Sequence, residues 1–139
     1  MKMTKAELET FLEVEFPQMR PMQMKIGHWD GATMRLTMPI GEQHLRPGGT
    51  VSGPVMMTLA DCAGYLLILG LIGPVALAVT TNLNINFLRK PGLGDLTAEA
   101  TMLKLGKTLA IVEIGVTSAG VEGPVAHSVM TYAIPPAKP

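Results

Sequence analysis

Apolar residues follow three rhythms along this chain. Over residues 4–16 they recur at helical spacing, as Leu8, Phe11, Leu12 and Phe16. Thr4 and Glu7 form a capping box in front of that run, and Pro17 stops it. From Gly53 to Ile72 the apolar residues are almost continuous, and the one charge among them is Asp61. A helix that is apolar all round is a buried helix; Ser52 or Gly53 is its expected cap, with Pro54 in the first turn. Elsewhere the rhythm is two. Met22, Met24 and Ile26 alternate with polar residues, Trp29-Asp30-Gly31-Ala32 reads as a turn, and Thr33, Arg35 and Thr37 alternate with Met34, Leu36 and Met38. Residues 78–88 alternate strictly, which predicts Val79, Thr81, Leu83, Ile85 and Phe87 on one face and Thr80, Asn82, Asn84 and Asn86 on the other. Three more runs, 96–105, 109–118 and 125–134, follow with short glycine-containing turns between them.

These period-two runs predict an antiparallel meander. Residues 41–53, rich in Gly and carrying His44 and Arg46, are the one long irregular stretch, and a loop of that length in a compact domain is often functional. The proline-rich residues 135–139 cannot continue a ladder and are expected to fray. The order is then helix, two strands, long loop, apolar helix, long strands. The economical packing is α+β, a curved antiparallel sheet wrapped around the central hydrophobic helix. A sheet covers only one side of that helix, so a partner is expected on the other.

Composition changes the picture in three ways. A chain of 139 residues has enough material for one domain with a proper core, spanning residues 1–139 with the first helix over 1–17. Hydrophobic residues make up 47% and charged residues 16%, so another subunit is expected to cover apolar surface. Lys plus Arg and Asp plus Glu are 11 each, and a net charge of zero points to neither nucleic acid nor an anionic membrane as partner. One cysteine, Cys62, excludes an intrachain disulfide and fits a reducing cytoplasm. One cysteine and three histidines compose no metal-ligand spacing. The N-terminal residues lack the apolar run of a signal peptide, and Gly73-Pro74 interrupts the uncharged stretch 62–79 that would otherwise be borderline for a membrane span.

The residue left to explain is Asp61. A lone carboxylate inside an apolar helix is costly unless it is paired, hydrogen-bonded or used. Residues 46–61, Arg-Pro-Gly-Gly-Thr-Val-Ser-Gly-Pro-Val-Met-Met-Thr-Leu-Ala-Asp, resemble the motif Asn-x-x-Gly-x-x-His-Gly-Gly-x-x-x-x-Leu-x-Asp of the phenylacetate-pathway (PaaI-like) acyl-CoA thioesterases of hotdog fold. Gly49, Gly53, Leu59 and Asp61 match; Arg46 stands for Asn, Ser52 for His and Pro54 for Gly. Residues 78–91 and 103–110 resemble the strand after the helix and the next hairpin of that family.

The resemblance implies hydrolysis of an acyl-CoA to a carboxylic acid and free coenzyme A, with no metal or redox cofactor. Asp61 would be nucleophile or general base, the Gly53 N–H the oxyanion donor, Thr80 the holder of a water, and Arg46 the substitute for an orienting Asn. An Arg there either favours the ionised carboxylate or ties it up in a structural ion pair, which leaves open a catalytically weak acyl-CoA binding or sensing protein. A hotdog dehydratase is disfavoured, because the apolar helix contains no His. The Ser52 hydroxyl reads as a helix cap rather than a nucleophile. His44 is near enough to be a proton donor or simply a loop residue. Arg89, Lys90, Lys104 and Lys107 are the basic groups expected to meet coenzyme A phosphates.

Spacing adds a consequence. Eight residues separate Gly53 from Asp61, about 12 Å along a helix. One carbonyl cannot touch both, so if both act they come from different subunits, as in a homodimer with antiparallel helices. The resemblance implies the same dimer, often paired into a tetramer.

Overall fold

The computed structural model describes residues 1–74 and 78–136. Part of the connection expected between helix and strand, residues 75–77, and the end of the tail expected to fray, 137–139, lie outside them. Helix α1 (Lys5–Glu15) carries the capping box: the Thr4 hydroxyl accepts from the Glu7 N–H, and the Glu7 carboxylate accepts from the Thr4 N–H at 3.1 Å. A 3-10 helix (Pro17–Met22) follows, so the alternation at Met22 and Met24 does not begin a strand. Strand β1 starts only at Lys25 (Lys25–Trp29) and pairs with β2 (Thr33–Met38). In the turn between them Asp30 Oδ1 accepts from the N–H groups of Ala32 and Thr33. Those two backbone donors, and His28 beside it, hold the Asp30 carboxyl far below the usual range.

The stretch read as irregular is more ordered than expected. A short 3-10 turn (Glu42–His44) leads into a small hairpin of β3 (Leu45–Arg46) and β4 (Thr50–Val51). Gly48 and Gly49 both adopt positive φ in its turn, 98° and 75°, which other residues rarely adopt. Helix α2 (Gly53–Ile72) then enters the core. Ser52 is its N-cap by backbone, but its hydroxyl makes no capping hydrogen bond, contrary to expectation.

Strands β5 (Val79–Phe87), β6 (Leu96–Leu105), β7 (Leu109–Ser118) and β8 (Ala126–Ala133) complete a six-stranded antiparallel sheet in the order β1-β2-β6-β7-β8-β5. The simple meander is therefore wrong at one strand. β6, β7 and β8 run as hairpins, while β2 takes the place beside β6 and β5 lies on the far edge against β8. The layout is the expected hotdog: a sheet around a long central helix.

The core side of the sheet is set by alternation. Met34, Leu36 and Met38, then Leu96, Ala98 and Ala100, then Val112, Ile114 and Val116 are fully buried, and α2 packs on β2, β6 and β7. Each large side chain so buried contributes roughly 2 kcal/mol relative to exposure. By length and composition α2 is apolar enough to cross a membrane; Leu59, Leu66, Leu67, Ile68 and Leu69 are instead buried inside the protein.

Gly70 marks the closest approach on α2. A Cβ added there would lie 2.4 Å from the Trp29 ring, whose indole N–H is tied to the Met3 carbonyl at 2.9 Å and cannot retreat freely. Overpacking of this kind costs about 1–3 kcal/mol, of which Ala recovers at most ~1 kcal/mol in helix propensity. Gly70→Ala is expected to lower the melting temperature by roughly 2–8 °C, and Trp29→Phe in that background to restore part of it. An unchanged melting temperature in the single variant would show that the ring does not confine this helix.

Candidate active site

Asp61 sits on the one stripe of α2 that the core does not cover. Pro54, Thr58, Asp61 and Tyr65 follow one another at helical spacing and line a cleft of about 770 Å³, a size typical of small-molecule sites. The opposite wall comes from β5 and β8, through Thr80, Leu83 and Tyr132. The far wall was not foreseen. Phe11, Phe16 and Met19, from α1 and the 3-10 helix after it, close the cleft. Tyr65 packs between two of them, with ring centroids 6.2 Å from Phe11 and 6.1 Å from Phe16. The first helix therefore also walls the candidate site.

Thr80 reaches Asp61 through a β-bulge. β5 pairs with β8 as Val79↔Ala133 and Thr80↔Tyr132, but the next pair is Asn82↔Thr131, so Thr81 is an extra residue. The strict alternation fails there. Thr80 joins Leu83, Ile85 and Phe87 on the inner face, and Val79 joins Asn82, Asn84 and Asn86 on the outer one. The Thr80 hydroxyl donates to Asp61 Oδ1 at 2.7 Å. A bulge that turns one side chain towards a site is a recurrent device.

Sequence reasoning missed Tyr132. Its hydroxyl donates to Asp61 Oδ1 at 2.6 Å and lies 2.8 Å from the Asp61 carbonyl oxygen. The residue is fully buried. Burial first, and the Asp61 charge second, push the phenol well above its ordinary range, so it stays a donor. The signal was available: Ala126, Ser128, Met130 and Tyr132 share one face of β8, and a buried Tyr needs a partner for its hydroxyl. Cys62, next to Asp61 and buried, is pushed up to about 12, by burial first and by the neighbouring Asp61 second. It therefore remains a thiol at neutral pH and is no rival nucleophile.

The other predicted residues do not gather at Asp61 within one chain. Gly53 opens α2 at the other end of β5, where a Cβ would meet the Phe87 ring at 3.1 Å. As the first helical residue its N–H has no acceptor within the helix. Arg46 lies exposed on the β3–β4 hairpin that precedes this helix start. Thr58 directs its hydroxyl back to the Pro54 carbonyl at 2.9 Å. His44 is buried, its Nδ1 accepts from the Gly41 N–H at 2.8 Å, and its carbonyl accepts from the Ser52 N–H at 2.9 Å, so it braces the loop that leads to α2. Lys104 and Lys107 flank the β6–β7 turn, at the Asp61 end of the sheet, since Leu105 pairs with Ala110 and Ala110 with Tyr132. Arg89 and Lys90 follow Phe87, at the Gly53 end. The Arg89 guanidinium donates to the Pro124 carbonyl at 2.6 Å, so part of its donor set is already committed. Among the described residues no three His, Cys, Asp or Glu side chains cluster to hold a metal ion.

A sheet curved round one apolar helix, with a carboxylate in mid-helix and a Gly at the helix start, defines a hotdog thioester hydrolase, and this chain belongs to the Thioesterase superfamily, whose family model matches residues 48–124. A solved protein from Silicibacter sp. TM1040 that carries a thioesterase designation is 48% identical, with a TM-score of 0.87 over 95% of this chain and 92% of its own. A mutant of the phenylacetic acid degradation protein PaaI from Thermus thermophilus is 26% identical, with a TM-score of 0.76 over 86% of this chain and 99% of that one. Among curated relatives, a protein of Halobacterium salinarum with an esterase name is 39% identical over 90 residues, 61% of this chain and 59% of the relative.

Proposed function

We propose that this protein hydrolyses acyl-CoA thioesters, with Asp61 as the reacting carboxylate and the Gly53 N–H of a partner subunit as oxyanion donor. The observation that carries this reading is the carboxylate itself. It opens into an apolar cleft and is held by two neutral hydroxyl donors, Thr80 and Tyr132, rather than by a cation. Asp61 takes a proton from water as the water oxygen bonds to the thioester carbon, or attacks that carbon directly. The carbonyl oxygen becomes an oxyanion, which a helix-start N–H stabilises. The C–S bond then breaks and the thiolate takes up a proton. On the water route the acid leaves at once; on the direct route the acyl group remains on Asp61 as an anhydride until a water hydrolyses it to the acid and restores the carboxylate.

The two edges of the sheet support the dimer. β1 is short, begins with Lys25 and is packed by α1. β5 has nine residues, no charge and no proline. An edge of that kind is a template for another strand. Thr80 and Phe87 lie seven residues apart, about 23 Å at strand spacing. Two copies of β5 paired antiparallel about their middle bring the Phe87 and Gly53 end of one chain to the Thr80 and Asp61 end of the other. The same operation brings Arg89 and Lys90 of one subunit towards Lys104 and Lys107 of the other, a basic rim for coenzyme A phosphates.

A panel of aryl and alkyl acyl-CoAs, read by release of free thiol, tests the reading. Steady thiol release with at least one member is the expected result. Saturable binding of acyl-CoA with no thiol released from any member would instead mark a binding protein.

A further inference from the structure

We propose that Tyr132 is a positioning residue that selects which oxygen of Asp61 reacts. The proposal rests on the reading of Asp61 as the reacting carboxylate.

Among the described residues, both side-chain donors that reach this carboxylate converge on Oδ1: Thr80 at 2.7 Å and Tyr132 at 2.6 Å. They come from neighbouring strands at paired positions, Thr80↔Tyr132, so the sheet ladder fixes their spacing. Tyr132 has one hydrogen and two oxygens of Asp61 within reach. The carboxylate takes it, because a charged acceptor binds more strongly and the Asp61 carbonyl has the helical N–H four residues on. Two hydroxyls on one oxygen fix the plane of the carboxylate. They also draw charge to Oδ1, leaving Oδ2 to face a water or thioester in the cleft.

Gly64 supplies independent support. It lies one turn beyond Asp61 on α2, and a Cβ there would stand 2.8 Å from the Tyr132 hydroxyl and 3.2 Å from a Val112 methyl. The helix thus has a gap where the phenol passes to reach Asp61. Glycine in mid-helix is unfavourable relative to Ala, and room for the hydroxyl accounts for its presence.

Tyr132→Phe keeps the ring and deletes the hydroxyl. The carbon-13 resonance of the Asp61 carboxylate, assigned with Asp61→Asn, is expected to move in Tyr132→Phe at neutral pH, because one hydrogen bond to it is lost. kcat falls roughly 10–100-fold with KM little changed, as for loss of an interaction that orients the reacting group. Gly64→Ala is expected to reproduce both effects by displacing the hydroxyl. The Gly64→Ala/Tyr132→Phe pair is then less than additive, since the methyl's closest neighbour is gone and the tightest contacts left are the Val112 methyl at 3.2 Å and the ring edge at 3.3 Å. An Asp61 carboxylate resonance unmoved in Tyr132→Phe, or fully additive losses in the pair, overturns the proposal. If the parent protein cleaves no thioester, the thioesterase reading fails, and the carboxylate resonance still decides whether Tyr132 holds the carboxylate.

Discussion

Asp61→Asn abolishes thioester hydrolysis while the protein stays folded. The amide is the same size as the carboxylate, and its oxygen still accepts from Thr80 and Tyr132, both of which reach Oδ1 of the side chain. The amide nitrogen, however, replaces Oδ2 with a donor. It can neither take a proton from water nor bond to the thioester carbon. Loss of a positioned base removes about 10²–10⁴-fold in rate, and loss of a nucleophile at least as much. The expected result is kcat reduced by roughly three orders of magnitude or more, with a melting temperature close to that of the parent. Turnover that survives the substitution intact would remove Asp61 from the chemistry.

The second large effect concerns the other half of the site. Gly53→Pro deletes one backbone N–H and also sets a proline directly before Pro54, where the helical conformation is disfavoured, so a melting temperature near the parent's is the check that the helix start survives. Proline is tolerated at the first helical position, where its missing N–H has no helical partner. Ser52 already has φ −71° and ψ 148°, the extended conformation a residue before proline prefers. The added Cβ meets the edge of Phe87 at 3.1 Å, a half-exposed side chain. Removing an oxyanion donor costs about 10²–10³-fold in kcat. The informative experiment mixes this variant with Asp61→Asn by co-expression. Each homodimer is inactive, but a hybrid dimer carries one site built from an intact Asp61 and an intact Gly53 of different chains. Random pairing makes half the dimers hybrid with one good site each, so activity returns to about a quarter of the parent's. A mixture as inactive as its components would mean that both groups act within one chain, against the estimate of about 12 Å from helix rise.

Much of this was legible along the chain because it depends on local rules. Thr4 and Glu7 announce the first helix by an exchange of hydrogen bonds within one turn. The run from Gly53 to Ile72 announces a buried helix because nothing in it could face water for long. Asp61 stands out by charge in that run, and Gly53 by its position at the helix start. Their separation follows from helix rise alone.

Three features were not legible, each for a physical reason. The place of β5 depends on which strands pair, and a period-two pattern says which face is apolar but not which neighbour supplies the hydrogen bonds. The position of Thr80 depends on a bulge at Thr81, one unpaired residue that reverses the face of everything before it. Counted by strict alternation, Thr80 points away from Leu83 and the helix; in the sheet it points at Asp61. Tyr132 lies 71 residues from Asp61, and no local pattern couples positions that far apart.

The sequence by itself determined the buried helix, its single carboxylate, the glycine at its start and the spacing between the two, because helix geometry and the burial of apolar side chains act over a few residues at a time. Only the tertiary structure decided what surrounds that carboxylate: the edge on which β5 lies, the bulge that turns Thr80 inward, the aromatic wall from α1 and the Tyr132 hydroxyl passing over Gly64. These follow from strand pairing and packing between distant segments, where the choice of partner is made by the whole sheet rather than by any one stretch of chain.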